Sequence, residues 1–512
     1  MVTDRRWFWF LILVVVLLVV CVAFWRTTVS HPFAYDEADY MYAGTRGFWA
    51  NYTDQNAMSL IGFVRKGYEL SRDKSQRASM SQYVRSIEDI SFYRHYHGPL
   101  YAYWIGLGQA IGIRSEAGYR ASGLVLHAMG AIAIFWFSLV VFPGMPAPGA
   151  FVAAAAFTLN RTALVTATSI TQHVAFELTC LVTLFAAAQY VRTRGPHWWN
   201  ATTAALACSF AAVEISIVLI GAILLSVAAT HWEDGPRVLL RRIFNGAGVF
   251  LITLTIVWPF GVLNLNAAKG YLYLAYMAVS RKTFTPIGPL DLWTFKIKTY
   301  PFEFLPALGA LIFAILVWRK LQHRAAATPW VVYTLLFLGA TMVITLPYTY
   351  YHASLLASSC VLAGIVYGEW WTRNGAAMRL VVLAAILVTL GVSATTYYRE
   401  TERRPEAPQL AAGVLRLAAQ QPSTALLVPF EVVPTLHYYY PSVRTVGYDT
   451  DWTTERLAAE AIDAAPSRVV CSAGLCEALE AQWRRETPRT KEILVQSEQQ
   501  AQTFYWISVG RP

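Results

Sequence analysis

The sequence predicts an α-helical polytopic membrane protein with a small C-terminal α/β domain, and three observations carry that prediction. The 512 residues are 56% hydrophobic and only 14% charged, with a mean hydropathy of +0.40. Soluble domains carry about 25% charged residues, so most of this chain is composed for lipid. Long apolar segments recur along the first 398 residues, and arginines gather in alternate connections between them. Beyond residue 399 the composition turns polar.

The first element runs from Trp7 to Trp25 without a charge, with aromatic residues at both ends. As a helix it crosses a hydrocarbon core of roughly 30 Å with its aromatic ends at the two interfaces. A cleaved signal peptide has a shorter apolar core and a small-residue cleavage site, and Trp25-Arg26-Thr27 supplies none, so the segment reads as a retained anchor. Further apolar segments lie at about 119–142, 148–166, 170–191, 199–213, 215–230, 239–260, 302–318, 329–346, 353–371 and 377–397, about eleven spans in all. With Arg5 and Arg6 inside, alternation puts on the same side Arg192 and Arg194, then Arg237, Arg241 and Arg242, then Arg319, Lys320 and Arg324, then Arg373 and Arg379. That is the positive-inside pattern, which predicts a cytoplasmic N-terminus.

Pro99–Ile113 is apolar but only about 15 residues long, short of the roughly 20 that a span needs. Counting it as a span would put every later arginine-rich loop outside. It is therefore laid along the outer interface or allowed to dip and return, with Tyr101, Tyr103 and Trp104 as anchors. Residues 201–230 are too long for one span and tight for two, with Glu214 at the expected turn. The outside features are then loops at about 26–118 and 262–301 and the domain 399–512, placed in the periplasm or outside the cell. In that domain Thr424–Pro429 and Ser467–Cys471 read as strands, and Thr453–Asp463 and Cys476–Arg485 as helices. Cys21, Cys180, Cys208 and Cys360 lie in apolar segments and read as inert; Cys471 and Cys476 either pair or stay as thiols. The net charge of +10 comes from scattered residues flanking apolar segments, which excludes nucleic acid as a partner.

Three stretches carry chemistry. Asp36, Glu37 and Asp39 cluster just beyond the first span in His31-Pro-Phe-Ala-Tyr-Asp-Glu-Ala-Asp-Tyr. Carboxylates so close repel one another and can serve as a general base or help hold a divalent cation; alternatively they are solvated residues capping a helix that begins near Asp36. His97, beside a Gly-Pro turn and followed by the Tyr101 aromatic stripe, suits a place where a lipid-linked substrate meets water, or is part of an aromatic belt. Lys269, Arg281 and Lys282 fall in a loop expected outside, against the charge rule. They either bind a lipid phosphate or are tolerated there. Arg120 at the mouth of the second span is a further phosphate or carboxylate partner; His173 and His352 sit at expected outer helix ends.

The order of these motifs resembles the GT-C glycosyltransferases of the protein O-mannosyltransferase and aminoarabinose-transferase superfamily. Tyr35-Asp36-Glu37-Ala38-Asp39-Tyr40 is similar to that family's acidic pair, and His97-Gly98-Pro99-Leu100-Tyr101-Ala102-Tyr103-Trp104 to its His-Pro-Pro-Leu-Tyr-Tyr-Trp element, with Gly98 in place of the first proline. Glu116-x-x-x-Arg120 then opens the next span, and the motif-level likeness covers about the first 125 residues. The resemblance implies an enzyme that takes a sugar from a polyprenyl-phosphate donor and passes it, with inversion, to a protein, lipid or glycan acceptor. The setting it implies is the outer face of a bacterial inner or cell membrane. It implies that Asp36 is the catalytic base, that Glu37 supports it, and that Asp39, His97, Tyr101, Arg120, Lys269, Arg281, Lys282 and His352 bind substrate. Two departures, Thr171-Gln172-His173 where the family often has an acid and Tyr350-Tyr351-His352-Ala353 where it often has an Arg-Tyr pair, leave the metal requirement and the sugar open. The rival classes are a lipid-linked-sugar flippase and an inactive scaffold of the same fold. A transporter places polar residues near the midplane and often repeats its halves; here charges gather at one face and no repeat is seen.

Overall fold

The computed structural model describes residues 5–45, 98–259, 289–299, 301–316, 318, 324–341, 349–402, 406–420, 423–448, 453–463, 467–483, 489–496 and 503–509. They form two compact units: a helical one from residues 5–29, 98–103 and 113–402, and a second from 30–45, 104–112 and 403–509.

In the helical unit each predicted apolar segment is helical over most of the part that is described. The helices are α1 (Arg6–Thr28), α4 (Glu116–Val141), α5 (Ala147–Thr158), α6 (Arg161–Thr168), α7 (His173–Thr193), α8 (Pro196–Phe210), α9 (Ser216–His231), α10 (Pro236–Val257), α11 (Pro289–Thr299), α12 (Pro301–Leu316), α13 (Arg324–Ala340), α14 (Ala353–Arg373) and α15 (Ala376–Glu402). Among the described residues seven helices are long and apolar enough to cross a membrane, and α5 with α6 makes an eighth bent by 55°. The remaining apolar segments, α8, α12 and α13, are 15, 16 and 17 residues long. Exposed Val15 and Val19 on α1 and Val381, Val388 and Val392 on α15 are the apolar outer surface that a lipid-facing bundle requires.

The bend inside 148–166 departs from the single straight span expected. Its cause is Asn160, whose side-chain oxygen accepts from the Thr162 and Ala163 N–H groups at 2.9 and 3.2 Å and so caps a new helix. Residues 201–230 divide as expected, with Glu214 between α8 and α9. Close packing of α5 on α14 depends on small residues. A Cβ on Gly364 would lie 2.5 Å from that of Ala153 and 2.7 Å from the Gly149 carbonyl, so Gly364-x-x-x-Gly368 meets Gly149-x-x-x-Ala153 at backbone distance. At one end of the unit Asp234 accepts from Arg194 at 3.0 Å and Arg242 at 2.5 Å, with His231 at 3.2 Å, which ties α7, α9 and α10 together.

The segment Pro99–Ile113 becomes α3 (Leu100–Ala110), 11 residues or about 16 Å of helix, too short to cross a bilayer.

The second unit holds α2 (Asp36–Thr45), α16 (Glu406–Gln420), α17 (Val433–Tyr439), α18 (Thr454–Asp463) and α19 (Ala473–Gln482). Its strands are β1 (Ala425–Pro429), β2 (Thr445–Tyr448), β3 (Ser467–Ser472), β4 (Arg489–Gln496) and β5 (Thr503–Val509), in the order β2-β1-β3-β5-β4. β2, β1 and β3 are parallel, while β5 runs antiparallel to β3 and β4. On one face Leu427, Val469 and Cys471 pack with Leu457 and Ala461 of α18 and Leu479 of α19. The oppositely directed Leu426, Val428 and Val470 are also fully buried, so the sheet is covered on both sides. Cys471 and Cys476 form a disulfide. The helix expected from Cys476 begins three residues earlier, at Ala473.

Candidate functional site

The acidic cluster occupies the first turn of α2, as an alternative reading of those residues anticipated. Carboxylates are favoured there because the first N–H groups of a helix are unpaired and the dipole is positive. The three carboxylates are not equivalent. Glu37 turns back, and its Oε2 accepts the Ala34 N–H at 3.3 Å, closing the turn that leads into the helix. Asp36 is exposed, whereas Glu37 and Asp39 are half-buried. Ala38 and Met41, on the opposite face of α2, are fully buried and seat the helix.

The chain enters α2 through Tyr35, whose φ of +53° is left-handed. For a residue with a Cβ that conformation costs about 1–2 kcal/mol, so its surroundings must hold it. They do so through side chains some 400 residues away. The Phe33 N–H donates to the Tyr439 hydroxyl at 3.0 Å, and the Tyr35 N–H to the Thr435 hydroxyl at 3.2 Å. The Phe33 ring packs on Tyr438 and Tyr439, and Tyr42 stacks on His437 with centroids 4.5 Å apart. Thr435 is completely buried. Three successive backbone N–H groups, of Phe33, Ala34 and Tyr35, are thus each taken by a side-chain oxygen.

The helical unit holds the other described candidates. Arg120 on α4 is 3% exposed, and its Nη1 donates to the Thr168 carbonyl at 2.9 Å, a cation at the C-terminal end of α6. Thr168 lies 3.4 Å, oxygen to oxygen, from Tyr397, which stacks on Phe24. His352 is buried with its ring 5.0 Å from Phe304, and the neighbouring Tyr351 ring meets His173, the first residue of α7, at 4.6 Å. Tyr101 is buried, and Tyr103 donates its hydroxyl to the Val257 carbonyl at 3.0 Å. Gly98 has a steric explanation. A Cβ there would lie 1.9 Å from the Ala211 carbonyl oxygen, so no proline and no other side chain fits where this chain departs from the family element. The adjoining Leu100 N–H donates to that same carbonyl at 3.2 Å. His97, Lys269, Arg281 and Lys282 lie outside the described residues.

Two features escaped the sequence reading. One is the group Thr435, His437 and Tyr439, whose only signal was the aromatic run His437-Tyr438-Tyr439-Tyr440. The other is Glu177 on α7. It is 1% exposed, and neither carboxylate oxygen has a hydrogen-bond partner among the described residues. Its signal was plain, since it is the one charge in segment 170–191. Cys180, Tyr333 and Cys360 are its buried neighbours. Among the described residues no group of three His, Cys, Asp or Glu side chains is arranged to hold a metal ion.

No family model matches the chain, and no curated protein matches it by sequence. Solved structures do. ArnT from Cupriavidus metallidurans bound to undecaprenyl phosphate superposes with a TM-score of 0.61 at 13% identity, covering 98% of each chain. The apo form of the same protein gives 0.57 at 13% identity, over 96% of this chain and 97% of that one. The archaeal oligosaccharyltransferase AglB from Archaeoglobus fulgidus, in complex with an inhibitory peptide and a dolichol-phosphate, gives 0.54 at 9% identity, over 92% of this chain and 70% of its own. The chain shares their GT-C-like fold, and the seven long apolar helices among its described residues make it an integral membrane protein. The family resemblance drawn from the first 125 residues is matched by the fold of the whole chain.

Proposed function

We propose that this protein is a glycosyltransferase that moves a sugar from a polyprenyl-phosphate donor to an acceptor on the outer side of the membrane. The observation that carries the reading is an exposed Asp36 opening α2, within the acidic motif through which the chain resembles GT-C enzymes, on a chain that has their fold. The undecaprenyl phosphate bound to ArnT and the dolichol-phosphate bound to AglB support a carrier of that chemistry. In the proposed reaction Asp36 takes the proton from the acceptor's nucleophilic group as that group attacks the anomeric carbon. The bond from that carbon to the phosphate oxygen breaks, the configuration inverts, and the carrier leaves as a polyprenyl phosphate holding the bonding electron pair. Glu37 keeps the turn that presents Asp36. Lys269, Arg281 and Lys282 supply the positive charge that stabilises the departing phosphate. His97, Tyr101, Arg120, Asp39 and His352 complete the binding of donor and acceptor. The cytoplasmic N-terminus and the outside location of residues 399–512 follow from the arginine bias, and the Cys471–Cys476 disulfide supports them.

The test is mass spectrometry of polyprenyl-phosphate sugars in membranes of a deletion strain carrying wild type or Asp36→Asn. Sugar-loaded carrier is expected to accumulate on deletion, to be cleared by wild type, and to persist with Asp36→Asn at normal protein abundance. Clearance by Asp36→Asn at the wild-type rate removes Asp36 from the chemistry. A flippase would instead leave the sugar attached to its carrier while changing which leaflet holds it.

A further inference from the structure

We infer that Thr435 and Tyr439, on helix α17 of the C-terminal domain, are positioning residues for Asp36. The inference rests on the glycosyltransferase reading and extends it to a part of the chain with no acidic or basic motif. The geometry is specific. Asp36 follows directly on the left-handed Tyr35, so its direction depends on that residue keeping its unusual conformation. The Thr435 hydroxyl accepts the Tyr35 N–H itself, and the Tyr439 hydroxyl accepts the N–H of Phe33, two residues earlier. Without these acceptors the two amides would be left to find water, and the extended conformation that Tyr35 prefers by itself would swing the following carboxylate away. Glu37 is already committed to the intervening Ala34 N–H. The stacked Tyr42 and His437 pin the far end of α2 to the same helix, so α2 is held at both ends by α17.

The side chains are also unlike a generic packing contact. Thr435 has 0% exposure, and its chain neighbours Val432, Val433 and Leu436 are buried as well. A valine would fill its volume equally well, so the hydroxyl is there to accept a hydrogen bond. Tyr439 packs its ring on Phe33 and uses only its hydroxyl on the backbone, so ring and hydroxyl can be separated by mutation.

The experiment uses the full-length purified protein in detergent and, as donor and acceptor source, membranes of the deletion strain with their own polyprenyl-phosphate sugars. Thr435→Val and Tyr439→Phe are each expected to lower turnover about tenfold and together about a hundredfold, the scale of a small misplacement of a reacting group. The dependence on membrane donor concentration stays within about twofold, and Thr435→Ser retains turnover, since it keeps the hydroxyl. Adding Thr435→Val to Asp36→Asn is expected to cause no further loss. Hydrogen exchange at the Phe33 and Tyr35 amides is expected to quicken in both variants with the melting temperature held. A merely structural role predicts the reverse: less folded protein, with normal turnover per folded molecule. If Thr435→Val does not fold, Tyr439→Phe, which keeps its ring on Phe33, carries the test. Wild-type turnover in both variants, with Asp36→Asn inactive, overturns this inference and leaves the proposed function standing. An active Asp36→Asn overturns the function whatever the other variants do.

Discussion

The two units of the molecule treat their carboxylates in opposite ways. In the helical unit Glu177 is sealed among apolar side chains and has no hydrogen-bond partner among the described residues. Asp234, at the end of the same bundle, is held by two arginines and a histidine. In the second unit Asp36 stands exposed, and the structure spends its hydrogen bonds on the backbone beneath it. The difference separates three tasks for one functional group. Asp234 fastens helices, Asp36 is presented to solvent, and Glu177 does neither. A buried charge without compensation costs several kcal/mol, so the fold can keep Glu177 only in circumstances that neither of the others needs.

The comparison is sharpened most by Asp36→Asn. Loss of a general base is expected to lower transfer by about 10²–10⁴-fold with no change in the melting temperature. A fall in thermal stability of the second unit would instead make Asp36 part of the scaffold. Asp234→Ala should show the converse profile. It leaves Arg194, Arg242 and His231 facing one another, and the melting temperature in detergent is expected to drop while the rate per folded molecule holds. An unchanged melting temperature would mean that the cluster fastens nothing. The smallest effect is expected from Glu177→Gln, which keeps the shape without the charge. Its unfolding free energy should fall by no more than about 1 kcal/mol, because no pairing is lost and relief of a buried charge works in the stabilising direction. A loss beyond about 3 kcal/mol would break the comparison, since it would reveal a compensated charge where the described residues offer no partner.

Much of the fold was legible because its signals are local. A run of apolar residues long enough to span lipid forms a helix wherever the rest of the chain goes, since the hydrocarbon leaves its backbone no other partner. Each of the predicted apolar segments accordingly became a helix or a bent pair. β1, β3 and α18 were read from their own residues, whereas the spacing of Cys471 and Cys476 left their pairing open until the fold brought the two sulfurs together. The bend at Asn160 was harder to read. An asparagine inside an apolar run is a cap only if the chain turns there, and the backbone decides that. β5 and β4 were missed because an antiparallel pair at the end of a parallel sheet depends on which edge of β3 is vacant.

The candidate site divides in the same way. That Asp36 begins a helix was already present in the residues around it, because acidic residues suit the first turn of a helix whatever surrounds it. Where that turn is anchored was not. Thr435 and Tyr439 lie 400 and 406 residues from the amides they accept, and nothing within either segment marks the other as its partner. Gly98 shows the same limit at short range. Its missing side chain reads as a departure from a motif until the Ala211 carbonyl is seen where a Cβ would have to be. The amino-acid order alone determined the helices, their apolar faces and the placement of charge, because these follow from solvation of each segment by itself. Only the tertiary structure decided which backbone groups find distant acceptors, because that depends on two segments arriving together, and neither pays for the meeting until both are in place.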